Sequence, residues 1–539
     1  MKKMVTLASF ALLPAVLVGC SSSGGTPQAT KYTATTPKAA GELDTLKWGV
    51  PGSEPASLDW IYDWDYGPSN LILANMCEGL MRQNPDGSTS PALATQVSQP
   101  NDKTYVFTIR DGVKFADGKP MTAGDVAFSL NRNLTAKPPS YWGMWYANVT
   151  SIEATDARTV TVKLKKPDAL FGEVMSTPAG YVGEKAFIEA AGAKYGTPGG
   201  GVMCTGPFAY GSWNKGQNIT LTRNDHYWDA SLRAKAKSVV LSFIPDASAL
   251  NSALLTGEID GSSGMTVSTL TALKSSSEGK LYVNRGTEVV VMQFNDLTRG
   301  PLKDKRIRQA LRDVVDYKGI TTGIMGGHAE PTKVGTPEAT WGYQKDIFQK
   351  GFQDLPGGVQ NLAEAKTLVN AAGAPSQPIV IAVNSDDQSI VNAATSIQAS
   401  ASAIGLNIQV RKYPSGEFTN LFYDPAARKS VNVMMNNVNV DVADPLEILY
   451  QVIPGSPFNY TGINDTTFAD LITRATQATD EATRAQLTVD ATKRYSDEVY
   501  GIPLYSIDAR VYLRNGVTGM PVSTLAQWYY PWAATVGKS

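Results

Sequence analysis

Tyr105, Phe107 and Ile109 recur at a spacing of two, interleaved with Val106, Thr108 and Arg110. That period predicts a strand with its aromatic and branched side chains on one face. Asp111-Gly112 and then Asp117-Gly118 supply turn signals. Thr122, with Asp125 three residues on, reads as the cap of a helix running through Val126, Phe128, Leu130 and Asn131. The local prediction is strand, turn, strand, helix. Further strands are predicted at 46–50, closed by Pro51-Gly52, and at 160–164. From about Asn295 the period lengthens. Asp304 can cap a helix whose apolar stripe is Ile307, Leu311, Val314 and Val315, and 362–369 is a second amphipathic segment. A strand at 379–383, a helix over 390–404 and a strand at 406–410 then form a βαβ order, which favours a parallel sheet with covering helices.

Two stretches carry no period. Residues 21–41 are rich in Ser, Thr, Gly, Pro and Ala and read as a solvated tether. The glycine-rich 198–201 lacks the Lys and Ser/Thr of a phosphate-binding loop and is read as a flexible connection. At the start of the chain, Lys2 and Lys3 precede an apolar run from Met4 to Val18 that Pro14 interrupts. It is shorter than the roughly 20 residues a membrane span needs, so it reads as a secretory signal rather than an anchor. The sequence Leu17-Val18-Gly19-Cys20 that ends it resembles the lipobox of bacterial lipoproteins. The expected result is cleavage before Cys20, acylation of that cysteine, and a protein held by lipid on the extracytoplasmic face of the cell membrane.

Charge adds little: 48 basic residues face 49 acidic ones. A near-neutral surface gives no electrostatic footing for nucleic acid, so no nucleic-acid partner is expected. The length supports about two to four folding units. With Cys20 acylated, two of the three cysteines remain, Cys77 and Cys204. An oxidising compartment allows a bridge between them, and two separate buried thiols are the alternative. The two histidines, His226 and His328, stand alone, no His-Glu-x-x-His occurs, and Gly-x-Ser-x-Gly is missing. No metal site or cofactor is expected. Paired carboxylates could still serve a secreted hydrolase, the rival reading from another class.

Four stretches in order resemble the family 5 extracellular solute-binding proteins, the peptide-binding and related receptors of ABC importers. They are Asn75-Met76-Cys77-Glu78-Gly79-Leu80-Met81-Arg82 with Asp86-Gly87 and Pro91-Ala92-Leu93-Ala94; the 105–118 run with Asp125-Val126; Thr205-Gly206-Pro207-Phe208 with Leu221 to Trp228; and Phe294-Asn295, Pro301 and Arg306 to Leu311. The resemblance implies an α/β, two-lobed periplasmic-binding-protein-like clamp of the class C (cluster C) type, with an extra subdomain in lobe I. It divides the chain into a signal peptide (1–19), a lipid-anchored tether (20–43), lobe I (44–291, with an inserted subdomain at about 91–204), lobe II (292–498) and a C-terminal return to lobe I (499–539). It also implies no catalysis, a monomer, and a peptide or other small solute passed to ABC permease subunits. An oligosaccharide or metal chelate is the alternative ligand.

The segment 437–447 carries the candidate ligand contacts. On a strand, Asn437, Asn439 and Asp441 would share one face, with Val438 and Val440 on the other. Asp444-Pro445 with Glu447 reads as a helix start, which explains Asp444 but not Asp441. Asp441 would then sit where open α/β sheets place ligands. Asp441 to Pro445 also resembles the family's Asp-x-x-Asp-Pro segment, whose first aspartate holds the α-ammonium of peptides. The Gly-Trp pair usual before it is here Asn437-Val438, which alters the pocket and puts peptide specificity in question. Aromatic residues cluster at Trp60, Tyr62, Trp64 and Tyr66, of which Trp64 and Tyr66 are candidates for the cleft. The second cluster, Tyr141, Trp142, Trp145 and Tyr146, reads first as packing.

Overall fold

Two long strands, Gly279–Phe294 and Gly501–Arg514, are the spine of the molecule. Both are dense in branched and aromatic residues, and they pair antiparallel from Gly279 opposite Arg514 to Gln293 opposite Gly501. The ladder breaks between Asn284 and Glu288 and again between Val290 and Val291. At the first break Gly286 lies against the other strand so closely that a Cβ there would sit 1.7 Å from the Ile507 carbonyl oxygen. Such a bulge kinks and overtwists the strand that carries it. On one side of the kink the sheet continues through Gly261–Ser263, Leu43–Val50, Ala236–Phe243 and Asn218–Arg223 to Phe208–Asn214. On the other it continues through Val433–Val438 and Ile379–Asn384 to Ile408–Tyr413.

The structure, a computed structural model, describes residues 31–62, 67–450 and 452–539. Cys20 with its apolar run, Trp64 and Tyr66 lie outside the described residues. A separate four-stranded sheet, Ala94–Asn101, Thr104–Ile109, Thr159–Leu164 and Val149–Asp156 in that order, is covered by the helix Ala123–Thr135. That helix buries Ala123, Val126, Ala127 and Leu130, and both halves of the predicted Thr122/Asp125 capping box are formed. The predicted βαβ unit is also present. Ile379–Asn384 and Ile408–Tyr413 pair parallel, joined by the helix Gln388–Ser402.

Two local predictions are corrected. The strand after Asp111-Gly112 does not form. Residues 113–120 close instead into a tight loop with a single bridge between Lys114 and Pro120, because Thr104–Ile109 finds both its neighbours elsewhere, in Ala94–Asn101 and Thr159–Leu164. The 198–201 segment is not a loose connection: Gly200 and Gly201 donate to the Thr197 carbonyl and Gly196 to that of Gly201. A Cβ on Gly200 would meet the Lys194 carbonyl at 1.8 Å, so the glycines permit close backbone approach rather than slack.

The family-like motifs meet in one buried knot. Cys77 and Cys204 form a disulfide with a Cα–Cα distance of 4.9 Å. Beside it the Glu78 carboxylate accepts from Thr205 Oγ1 (2.9 Å), Tyr227 OH (2.9 Å) and Trp228 Nε1 (3.0 Å), and pairs with Arg82 at 3.3 Å. Arg82 also pairs with Asp229. At the start of the described chain, the Thr33 N–H donates to the Val283 carbonyl. The Tyr32 hydroxyl reaches Glu330 Oε1 (2.9 Å) and Asp508 Oδ1 (3.3 Å), beside the two spine strands.

Candidate functional site

The carboxyl ends of four strands, at Val50, Ser263, Asn384 and the Asn437-Val438 end, converge on the kink in the spine. Open α/β sheets place ligands at such ends, because the connecting loops are free to vary while the strands hold them in place. A cavity of about 880 Å³ lies there. Its floor is the spine itself, Glu288 from one strand and Ile507 to Arg510 from the other. The side walls include Asp386 and Asp387 at the mouth of the Gln388–Ser402 helix, and Trp528. The volume falls in the range of about 300–1,000 Å³ typical of small-molecule sites.

The electrostatics of this floor are uneven. Arg510 is the one basic side chain among the described residues that line the cavity, against Glu288, Asp386, Asp387 and Asp508. Burial pushes the Glu288 carboxyl up and the Arg510 guanidinium down, each moderated by the other. Nε and Nη1 of Arg510 are enclosed without a hydrogen-bond partner, as is Oδ2 of Asp508, which faces His328 Nδ1 at 3.8 Å. Asp387 has a structural duty as well, its Oδ1 accepting from the Ser389 and Ile390 N–H groups.

The sequence-derived candidates are scattered by a strand that ends early. Val433–Val438 stops at Val438, so Asn437, Asn439 and Asp441 do not share a face. The physical reason is a competing set of hydrogen bonds. Asn439 Nδ2 donates to the Val440 carbonyl at 2.7 Å, and the Glu447 carboxylate collects the N–H groups of Asp441 (2.8 Å) and Val442 (3.0 Å), which takes the chain out of an extended path. Asn437 is exposed and lines the cavity. Asn439 instead accepts from Thr287 Oγ1 (2.9 Å). Asp441 is 8% exposed and accepts from the Tyr529 hydroxyl at 2.9 Å; Tyr529 neighbours Trp528 and Gln527 of the cavity wall. Asp444 receives the Leu446 N–H, as a helix cap does. Of the aromatic clusters, Trp60 packs edge-on against Tyr181 and Tyr195 and accepts at its carbonyl from Trp142 Nε1, so both belong to the core. Tyr146 is tied to the Ala179 carbonyl, and Tyr62 OH reaches the Lys137 carbonyl.

Sequence patterns alone do not single out Glu288, Arg510 or Asp387. The first two do carry a signal: a charge set inside an apolar strand run, Glu288 before Val289-Val290-Val291 and Arg510 before Val511. Asp387 carries only the signature of a helix cap.

Away from the cavity lining, the N-terminal part also touches residues of the 441–484 stretch directly. Arg484 pairs with Glu173 at 3.0 Å and lies 3.2 Å from the fully buried Asp444, with its guanidinium 4.2 Å over the Tyr343 ring. The Ala169 N–H donates to the Thr476 carbonyl, and Trp145 stacks on Tyr450. Burial and the neighbouring Asp444 push the Glu173 carboxyl up to about 8.

A kinked double strand shared by two half-sheets, with a polar cleft at the kink, defines a clamp that encloses a solute. The chain belongs to the bacterial extracellular solute-binding proteins, family 5, whose model matches residues 88–460. It is 28% identical to the periplasmic murein peptide-binding protein MppA of Escherichia coli (strain K12) over 347 residues, which is 60% of this chain and 63% of the relative. It is 25% identical to the oligopeptide-binding protein OppA of Bacillus subtilis (strain 168) over 477 residues, 81% of this chain and 83% of the relative. The solved structure of the ABC transporter-associated periplasmic binding protein DppA from Helicobacter pylori, in complex with peptide STSA, superposes with a TM-score of 0.78. It is 23% identical and covers 92% of this chain and 98% of that one, showing the shared two-lobed fold.

Proposed function

We propose that this protein captures a short peptide in the cavity at the spine kink and delivers it to an ABC import permease from a lipid anchor at Cys20. The observation that carries the reading is the cavity of about 880 Å³ at the converging strand ends, in a chain of this family. Two of the relatives it resembles, MppA and OppA, are described as peptide-binding, which supports the ligand class. Asp441 is assigned the peptide's amine. Its carboxylate is buried, it accepts from the Tyr529 hydroxyl, and the helix bearing Tyr529 also walls the cavity.

A thermal-shift screen of mixed peptides against oligosaccharides tests the ligand class. A ligand that binds only the folded state raises Tm with its concentration, and a rise with oligosaccharides alone overturns the peptide reading. For Asp441, removing one member of a buried charge pair costs about 2–5 kcal/mol. Asp441→Ala is therefore expected to nearly abolish peptide binding, and N-acetylated peptides to bind the native protein poorly. Equal calorimetric affinity for free and acetylated peptides removes Asp441 from that role. Cys20→Ser is expected to release the protein from the membrane fraction, and a variant that stays bound after a salt wash overturns the anchor.

A further inference from the structure

Arg510 stands in the spine strand Gly501–Arg514 at the point where its ladder changes partners, one residue past the Ala509–Asn284 pair. A guanidinium offers five N–H donors, accepts nothing and stays charged at any physiological pH. Arg510 is half-buried, and enclosing part of a guanidinium without an anion is costly; the protein does not supply the anion directly. Nε and Nη1 are enclosed and donate to nothing, and Arg510 forms no ion pair among the described residues. Glu288, the carboxylate whose charge acts most strongly on Arg510, is half-buried and acts on it only through space. Every other ionisable side chain among the described residues of the cavity wall is a carboxylate, namely Asp386, Asp387 and Asp508. An anionic group entering this cavity therefore has one place to go. It also meets a wall that repels a second one.

We infer that Arg510 is the specificity-determining residue that grips a carboxylate of the ligand, so that the cleft takes solutes bearing one free carboxylate on an otherwise neutral or cationic frame. Nη2 is not among the enclosed atoms, and a carboxylate that accepts from it makes a charge-assisted hydrogen bond, roughly twice as strong as a neutral one. This rests on the peptide reading above, in which the group is the C-terminal carboxylate or an acidic side chain of a peptide. Because Arg510 sits in a strand shared by both half-sheets, its partner is fixed to the spine rather than to either lobe.

The test is calorimetry on the full-length protein with matched short peptides that end in a free carboxylate or in an amide and carry no acidic side chain. The amide is expected to bind at least about 30-fold more weakly, the smallest loss usual when a buried, hydrogen-bonded charge pair is broken. In Arg510→Gln the two peptides are expected to bind alike, whereas Arg510→Lys retains part of the preference. The comparison on the native protein needs no variant, so a misfolded Arg510→Gln does not spare the proposal. Equal affinity of acid and amide overturns the role of Arg510 while leaving the peptide reading intact. Preference retained in Arg510→Gln overturns it as well. If neither peptide binds, the peptide reading falls and this inference with it.

Discussion

Glu173 carries a pH signature. In the closed arrangement it shares Arg484 with Asp444, with Glu481 close enough to raise it further, and burial holds its carboxyl at about 8. An unfolded glutamate ionises near about 4.3, so between these values the folded state holds a proton that the unfolded state has lost. Its contribution therefore falls as pH rises from about 4.5 to 8 and is flat above. Thermal unfolding followed across that range is expected to show a decline that Glu173→Gln reduces, because glutamine keeps the shape of the neutral acid. Gly286 is the other residue on which much depends. Gly286→Ala places a methyl group 1.7 Å from the Ile507 oxygen, a contact that only backbone movement relieves. Denaturant unfolding is expected to show a loss of about 1–3 kcal/mol or more. At this scale the sequence is least legible. Charges inside the apolar runs of Gly279–Phe294 and Gly501–Arg514 mark Glu288 and Arg510, but only the pairing of strands more than two hundred residues apart brings them to one floor.

Elements are far more legible than site residues, because capping and periodicity are local. Thr122 with Asp125, Asp304 and the βαβ unit need no tertiary information. The strand expected to carry Asp441 fails for a reason that alternation does not encode: the Glu447 side chain, six residues on from Asp441, claims the N–H groups of Asp441 and Val442. The family-like motifs are legible as motifs, yet their side chains build the frame and not the cleft. Glu78, Thr205, Tyr227 and Trp228 bond to one another around the bridge between Cys77 and Cys204. That bridge spans 127 residues, and on the chain-entropy account closing such a loop stabilises the fold by about 5 kcal/mol. The paired Cys77→Ser, Cys204→Ser variant is expected to unfold at correspondingly lower denaturant. A non-reduced digest of the native protein is expected to yield the two cysteine peptides linked, with neither thiol open to alkylation.

As a whole the molecule is a pair of half-sheets held on one double strand, and the contacts of Arg484, Thr476 and Tyr450 with the N-terminal part exist only when the halves are together. Glu173→Ala removes one of them without stranding a buried charge, since Asp444 keeps Arg484. Small-angle scattering of the ligand-free variant is expected to give a larger radius of gyration than the native protein, and saturating ligand to restore the smaller value. Tyr32 and Thr33 dock where the two spine strands change partners, on Val283, Glu330 and Asp508. A pull arriving through residue 32 therefore acts on the pivot, where it has no lever arm and exerts little torque on either half. Opening and shutting the clamp then proceeds indifferent to whatever holds the N-terminus, and affinity for ligand is expected to be the same in the native protein and in the Cys20→Ser form.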